Sequence, residues 1–394
     1  MENQDIIIIG GGLIGLSCAL KLAKNNIKVT VYEKDVCGAG ASSYSLGVLA
    51  YPSPLRTTNF HKVHRISLKM TESFYKEIEE ESKVKIDYWR LGTLEIIPGP
   101  EQYKQAQKEV EYTNSPECDE DTPKLEIISP EDLIKIEPNI KITEFGALYA
   151  KASARISVDK TIEATKKACL LNNVNIKEKS PVKELIIENQ KVQGIVLSSG
   201  EKVYAQNVLI ASGAWSGTYG KEAEYYAHME GIRGQALEIQ SDTKLANHII
   251  KYNKGYIIPS LSDTYGIGST TEKNVGFDNS ATVNGFIEIL TRARETLPSI
   301  ENARIKRFWA GLRPAGRDRK PHIGKVPTID NLYVAAGHYK IGFGYAPITA
   351  DIIKRQILGE EVPYPINELT PRDAEPLNKK NKNKQNESNH VIED

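Results

Sequence analysis

The chain reads as an α/β protein built on a mostly parallel sheet, and three observations near its start predict this. Ile6, Ile7, Ile8 and Ile9 form a run of β-branched residues that suits a strand buried on both faces. Gly10, Gly11, Gly12, Leu13, Ile14 and Gly15 follow without a break. Apolar residues then recur at helical spacing (Leu13, Leu16, Leu20 and Ala23), with Lys21 and Lys24 on the polar face, before a second strand at 28–32 ends in Glu33.

Each part has a physical role if the turn receives a dinucleotide. Gly10 makes the tight turn, Gly12 lets the backbone approach a pyrophosphate, and Gly15 lets helix and strand pack closely. The helix N-terminus, at Leu13 and Ile14, offers unpaired N–H groups to the anion. Glu33, ~20 residues beyond the glycines, would accept hydrogen bonds from ribose hydroxyls and repel a 2′-phosphate. Strand, glycines, helix, strand and acidic residue in this order make the fold Rossmann-like. The uncharged run from 6 to 20 is shorter than the ~20 apolar residues of a membrane span and contains four glycines. It follows an acidic start where a secretory leader would be basic, so a soluble, uncleaved N-terminus is expected.

At 394 residues and 40% hydrophobic content, two domains are expected, or one with a large insertion. Lys plus Arg equals Asp plus Glu at 51 each, which gives no electrostatic reason to expect nucleic acid or an anionic membrane as a general partner. Cys18, Cys37, Cys118 and Cys169 are scattered without a CxxC, so neither a disulfide framework nor a zinc site is suggested, and a cytoplasmic location is the simplest reading.

Beyond Glu33, residues 38–47 form a small-residue loop able to press against a flat ligand, its hydroxyls at Ser42 and Ser43 facing phosphate or ring oxygens. A helix is expected at 61–81 with Ile66, Met70, Phe74 and Ile78 on its buried face, and His61 and His64 are read as solvated or capping, not as a metal pair. Strands follow at 87–97, a helix at 101–111 and an exposed acidic loop at 118–123. Ser129, Pro130, Glu131 and Asp132 open another helix as N-cap, first-turn proline and dipole-facing acids. Ser157 caps a helix over 160–171, and strands are expected at 174–177, 182–187 and 194–197. The apolar run 208–211 then enters Ser212, Gly213, Ala214 and Trp215, as a backbone passing a dinucleotide would. Gly213 to Gly217 lacks the GxSxG spacing of a hydrolase elbow. Residues 229–308 read as strands with one helix at 285–297. Gly342 to Pro347 opens a last helix over 348–357, and the basic, polar residues from 371 to 394 are expected to be disordered.

With these blocks in view the chain resembles the D-amino-acid-oxidase family of FAD-dependent amine oxidoreductases, and within it the bacterial glycine oxidases. The matching blocks are the glycine loop with Glu33, the Ala41-Ser42-Ser43 loop, 208–217, 307–324 and 335–347. The run Phe308-Trp309-Ala310-Gly311-Leu312-Arg313-Pro314 is the most specific of them. The resemblance implies a discontinuous Rossmann-like FAD-binding domain from 1–84, 145–220 and 308–370, covered by an antiparallel-sheet substrate domain from 85–144 and 221–307. It implies non-covalent FAD, contacted by Gly10, Gly12, Leu13, Ile14, Gly15, Glu33, Ser42, Ser43, Leu46, Gly47, Val182, Ser212, Gly213, Trp215, Gly311, Arg313, His338, Gly342, Phe343 and Gly344.

It further implies a small amino acid and O2 as reactants, with Arg313 anchoring the substrate carboxylate and Tyr256 bonding to the same group. Lys340 stands where the glycine oxidases have an arginine near the flavin, and a lysine cannot grip two oxygens in one plane. The expected reaction is hydride transfer from Cα of a neutral amine to the flavin, then hydrolysis of the imine to keto acid and ammonia, with hydrogen peroxide as the product from oxygen. Glycine, sarcosine, D-alanine and D-proline are the substrates in view. A dehydrogenase that passes electrons from an amino acid or 2-hydroxy acid to a quinone, and a non-catalytic flavin-binding subunit, both stay open. If the likeness extends further it implies a homo-oligomer and a place in thiamine biosynthesis.

Overall fold

In the computed structural model, which describes residues 4–316 and 318–372, the isoleucine run forms the strand Gln4–Ile9 in the middle of an eight-stranded sheet. Ile6 and Ile8 enter the core on one face and Ile7 and Ile9 the core on the other, all four at most 2% exposed. A strand buried on both sides has no polar face to show, which is why its residues do not alternate. Val29–Tyr32 and Lys202–Ile210 pair with it in parallel, followed outward by Asn175–Lys177 and Leu332–Ala336, also parallel. The hairpins of Val182–Glu188, Lys191–Leu197 and His322–Lys325 extend the sheet antiparallel.

Helices Leu13–Ala23, Asn59–Ser82, Val158–Leu171 and Gly342–Leu358 cover one face of this sheet. The last helix starts at Gly342, six residues earlier than the sequence suggests, and carries Pro347 inside it. Proline removes the N–H that would bond to the Phe343 carbonyl. The buried Tyr75 hydroxyl donates to that carbonyl at 2.7 Å, and Ser67 Oγ donates to the Gly344 carbonyl at 2.6 Å. A neighbouring helix thus supplies what the proline takes away.

That neighbour, Asn59–Ser82, buries Val63, Ser67, Leu68, Thr71, Tyr75 and Ile78, while the expected Ile66, Met70 and Phe74 are only partly buried beside them. The face is rotated because it must present Ser67 and Tyr75 to the proline-bearing helix. His61, in the first turn, bonds the Thr58 hydroxyl but no helix N–H, and His64 is not solvated: it is 5% exposed against Phe60 and Tyr345. The 118–123 loop is also less free than expected, since Asp119 takes a hydrogen bond from the fully buried Arg65 and Asp121 pairs with Lys69.

A second eight-stranded sheet runs Arg304–Ala315, Glu230–Gln240, Thr264–Gly268, Gly255–Pro259, Ile249–Tyr252, Thr93–Ile96, Ala147–Ala150 and Glu126–Ile128. All neighbours are antiparallel except Ile249–Tyr252 with Thr93–Ile96. The expected boundaries at 145 and 308 cut across it. Ala147–Ala150 and all of Arg304–Ala315 hydrogen-bond in this sheet, because each completes the ladder of a strand already there. Val48–Leu49, Ala154–Ile156 and Tyr88–Trp89 form a small third sheet. Arg317 and residues 373–394, which include nearly all of the expected tail, lie outside the described residues. Among those described, no helix is long and apolar enough to cross a membrane, and all four cysteines are free thiols.

Candidate active site

The glycine turn has the geometry its sequence requires. Gly10 has φ +112°, and a Cβ there would lie 2.6 Å from the Ala211 carbonyl oxygen, while one on Gly15 would lie 2.0 Å from the Gly10 carbonyl oxygen. No L-residue with a side chain fits either place. A Cβ on Gly12 would meet only Ser42 Oγ, at 3.3 Å, so the turn is open on that side. Gly12 is the N-cap of Leu13–Ala23 and provides no side-chain cap; Ser42 Oγ accepts the Leu13 N–H at 3.0 Å instead. Glu33 does more than await a ribose: its carboxylate accepts the N–H groups of Gly11 at 2.8 Å and Asp35 at 2.9 Å, closing the turn. Each oxygen retains a further lone pair for a hydroxyl.

A cavity of about 130 Å³ lies between the 41–48 loop and the second sheet, with Tyr44, Leu46, Tyr256, Ser269, Arg313, Tyr339 and Lys340 among its lining residues. All three residues expected to act on substrate therefore reach one space. Arg313 sits in Arg304–Ala315, and its guanidinium lies across Gly234 of the adjacent strand, where a Cβ would be 2.1 Å from Cζ. Nη1 donates to the Thr270 carbonyl at 3.0 Å and Nη2 to Ser269 Oγ at 2.8 Å. Both partners are neutral. Among the described residues no carboxylate pairs with this arginine, and burial pulls its pKa down from the usual arginine range. A cation held by neutral dipoles at a cavity wall has capacity for an anion. Lys340, more exposed, has Nζ 5.3 Å from the Tyr339 ring.

Leu46 packs against Gly266 and Gly268, and Gly47, at φ +72°, is pressed against the Ile156 carbonyl. Gly311 comes so close to Tyr44 that a Cβ would lie 2.3 Å from it. Gly342, Phe343 and Gly344 form the first turn of the last helix, directly after Tyr339 and Lys340. Ser212 abuts Gly10, Gly213 follows it at φ +59°, and Val182 lies two residues after Ser180, whose N–H bonds the Glu33 carbonyl. The Leu13 N–H, expected to be unpaired, is taken by Ser42 Oγ, and three more expected residues are otherwise engaged. Ser43 Oγ donates to the Gly38 carbonyl. His338 is buried against Thr349, and burial holds it neutral with a pKa near 3. Trp215 lies outside the cavity lining, stacked on Phe277 at 5.5 Å with Lys34 Nζ 3.1 Å from its ring centre.

Sequence reasoning did not single out Tyr44, Gly234, Ser269, Thr270 or Tyr339. Gly234 left a readable signal, since a glycine inside a strand, as Gly231 and Gly234 both are, marks close approach of another group.

The fit to FAD rests on these features: a glycine cradle open at Gly12, a helix that starts there, Glu33 bonded to Gly11 in the same turn, and close-packed Gly311 beside the cavity. Known proteins agree. The curated glycine oxidase of Bacillus licheniformis is 28% identical over 92% of this chain and 95% of its own length. The crystal structure of a Bacillus cereus glycine oxidase superposes with a TM-score of 0.84 at 25% identity, covering 91% of this chain and 98% of that one. That of the L-proline dehydrogenase of P. horikoshii reaches 0.83 at 22% identity, over 94% and 97%. Residues 5–356 match the model described as FAD dependent oxidoreductase, and this chain belongs to that family.

Proposed function

We propose that the protein oxidises a small amino acid, with glycine, sarcosine, D-alanine and D-proline as the candidate substrates, to its imine, with O2 reduced to hydrogen peroxide. Water hydrolyses the imine to the 2-oxo acid and ammonia for glycine and D-alanine, or methylamine for sarcosine, the cyclic imine of D-proline retaining its nitrogen. The observation that carries this reading is the Arg313 guanidinium at the cavity wall without a carboxylate partner among the described residues. Its forked donors match a carboxylate, and the lining of the same cavity by Tyr256 supports a second contact to that group. The glycine-oxidase relatives support the substrate class.

Bound FAD supplies the two-electron acceptor. The chain's own part is orientation: Arg313 fixes one end of the substrate so that Cα faces the ring, and the glycine-rich walls allow close approach. Among the described residues no aspartate or glutamate lines the cavity, so no carboxylate there pairs with an ammonium ion, which supports reaction of the neutral amine.

The test is an anaerobic absorbance titration of the purified holoprotein with the four amino acids, followed by air. Bleaching of the flavin band by one of them, with recovery and peroxide in air, is the expected result. Bleaching without recovery would replace the oxidase by a dehydrogenase that uses another carrier. No bleaching by any of them would overturn the substrate class. Arg313→Ala should raise the apparent KM about ten-fold or more while FAD stays bound, because a charge-assisted pair contributes ~1.5–3 kcal/mol.

A further inference from the structure

The two neutral partners of Arg313 belong to one segment, 269–282, which runs from the cavity to the helix Val283–Thr296. Glu272 is its anchor. Oε2 of Glu272 accepts Nε and Nη2 of Arg233 at 3.0 and 2.7 Å, and Oε1 accepts Gln235 Nε2 at 2.7 Å and the Thr270 hydroxyl at 2.6 Å. The backbones of Arg233 and Glu272 exchange a pair of hydrogen bonds, each 2.9 Å. Arg233 also bonds Asp278 at 2.8 Å, and Gln235 joins the Thr282 N-cap through both of its amide atoms. Gln235 is fully buried and Arg233 nearly so. Thr270 occupies the junction. Its Oγ1 accepts the Gln235 N–H and donates to Glu272, while its carbonyl holds Arg313.

We infer that Glu272 is a positioning residue for the substrate carboxylate: through Thr270 it fixes where the Arg313 guanidinium points, and by engaging Arg233 it leaves Arg313 as the guanidinium of the two that faces the cavity. Gly234 completes the device from the opposite side, since the guanidinium occupies the space a side chain there would take. This rests on the reading of Arg313 as carboxylate anchor. Glu272→Gln is the sharp variant, because both oxygens of Glu272 accept from donors, and an amide NH2 on either side would face an N–H or O–H.

The experiment measures binding of acetate, the simplest carboxylate probe, by its perturbation of the flavin absorbance of the holoprotein, together with KM and kcat for the best amino acid. In Glu272→Gln the acetate Kd and the KM should both rise about ten-fold, with kcat changed much less and the flavin retained. Gly234→Ala should raise the same Kd by displacing the guanidinium directly. Asp242→Asn, which breaks an exposed pair with Arg304 elsewhere on the same sheet, should stay near wild type. If Arg313→Ala weakens acetate binding and Glu272→Gln with Gly234→Ala does not, the positioning role is wrong. If Arg313→Ala itself leaves acetate binding unchanged, the anchor reading fails instead, and the proposal with it.

Discussion

His64 and His338 are fully enclosed in the helical layer over the first sheet, and neither joins the chemistry. Burial lowers both to a pKa of about 3, so the folded protein keeps them neutral where an unfolded chain would protonate them near pH 6.5. The unfolded state therefore binds more protons below pH 6.5, and stability falls as pH falls from there toward 3, by about 1.4 kcal/mol per pH unit for each group. Restricting the measurement to pH 6.5–5 avoids most carboxylate titration. Urea unfolding of the holoprotein should lose stability across that window, and His64→Phe, which preserves the ring between Phe60 and Tyr345, should lose less. An equal slope in that variant would show that the imidazole protonates without unfolding.

Among the elements, the helix Gly342–Leu358 shows why a sequence pattern can locate a segment and misplace its start. Gly342, Gly344 and Pro347 argue against helix at its beginning. The residues that permit it, Ser67 and Tyr75, stand some 270 positions earlier, where they read as ordinary members of an amphipathic stripe. No local rule connects them. Tyr75→Phe removes the donor to the Phe343 carbonyl without changing the ring, leaving a buried acceptor unpaired. The expected cost is about 1–3 kcal/mol of stability, read as a lower urea midpoint with unchanged m-value. Tyr75→Phe at wild-type stability would mean that this carbonyl finds water or another donor. By contrast, the helix Pro130–Ile136 begins where Ser129 says it should, with Ser129 Oγ accepting the Asp132 N–H at 3.1 Å, because capping is a local interaction.

At the scale of the molecule, the first strand, the glycine turn and Glu33 were legible because they interact within thirty residues. The division between sheets was not, since Arg304–Ala315 and Ala147–Ala150 take their places by pairing with strands distant in sequence. Arg313 and Tyr256 could be named from a family pattern, but Gly234, Thr270 and Glu272 act through contacts that pattern does not contain. The segment 38–47 joins these parts. Ser42 caps the first helix, the Gly47 carbonyl accepts the Ile156 N–H at 2.9 Å, and Tyr44 lies against Gly311 while its carbonyl accepts from Trp309 Nε1 at 3.2 Å. Its own side chains are small and bury little, so its order depends on what it touches. Removing FAD takes away one of those surfaces, and stability should drop by RT ln(1 + [FAD]/Kd), about 2.7 kcal/mol at a hundred-fold excess over Kd. The loss should not be uniform, because segments with few buried contacts open first. Hydrogen exchange on apoprotein and holoprotein should show residues 10–15 and 38–47 deprotected in the apoprotein, with Glu230–Gln240 and Arg304–Ala315 exchanging slowly in both. Uniform deprotection would mean that the sheets fold only as one unit around the cofactor, and unchanged protection at 38–47 would mean that its contacts with Leu13, Ile156 and Gly311 hold it without FAD.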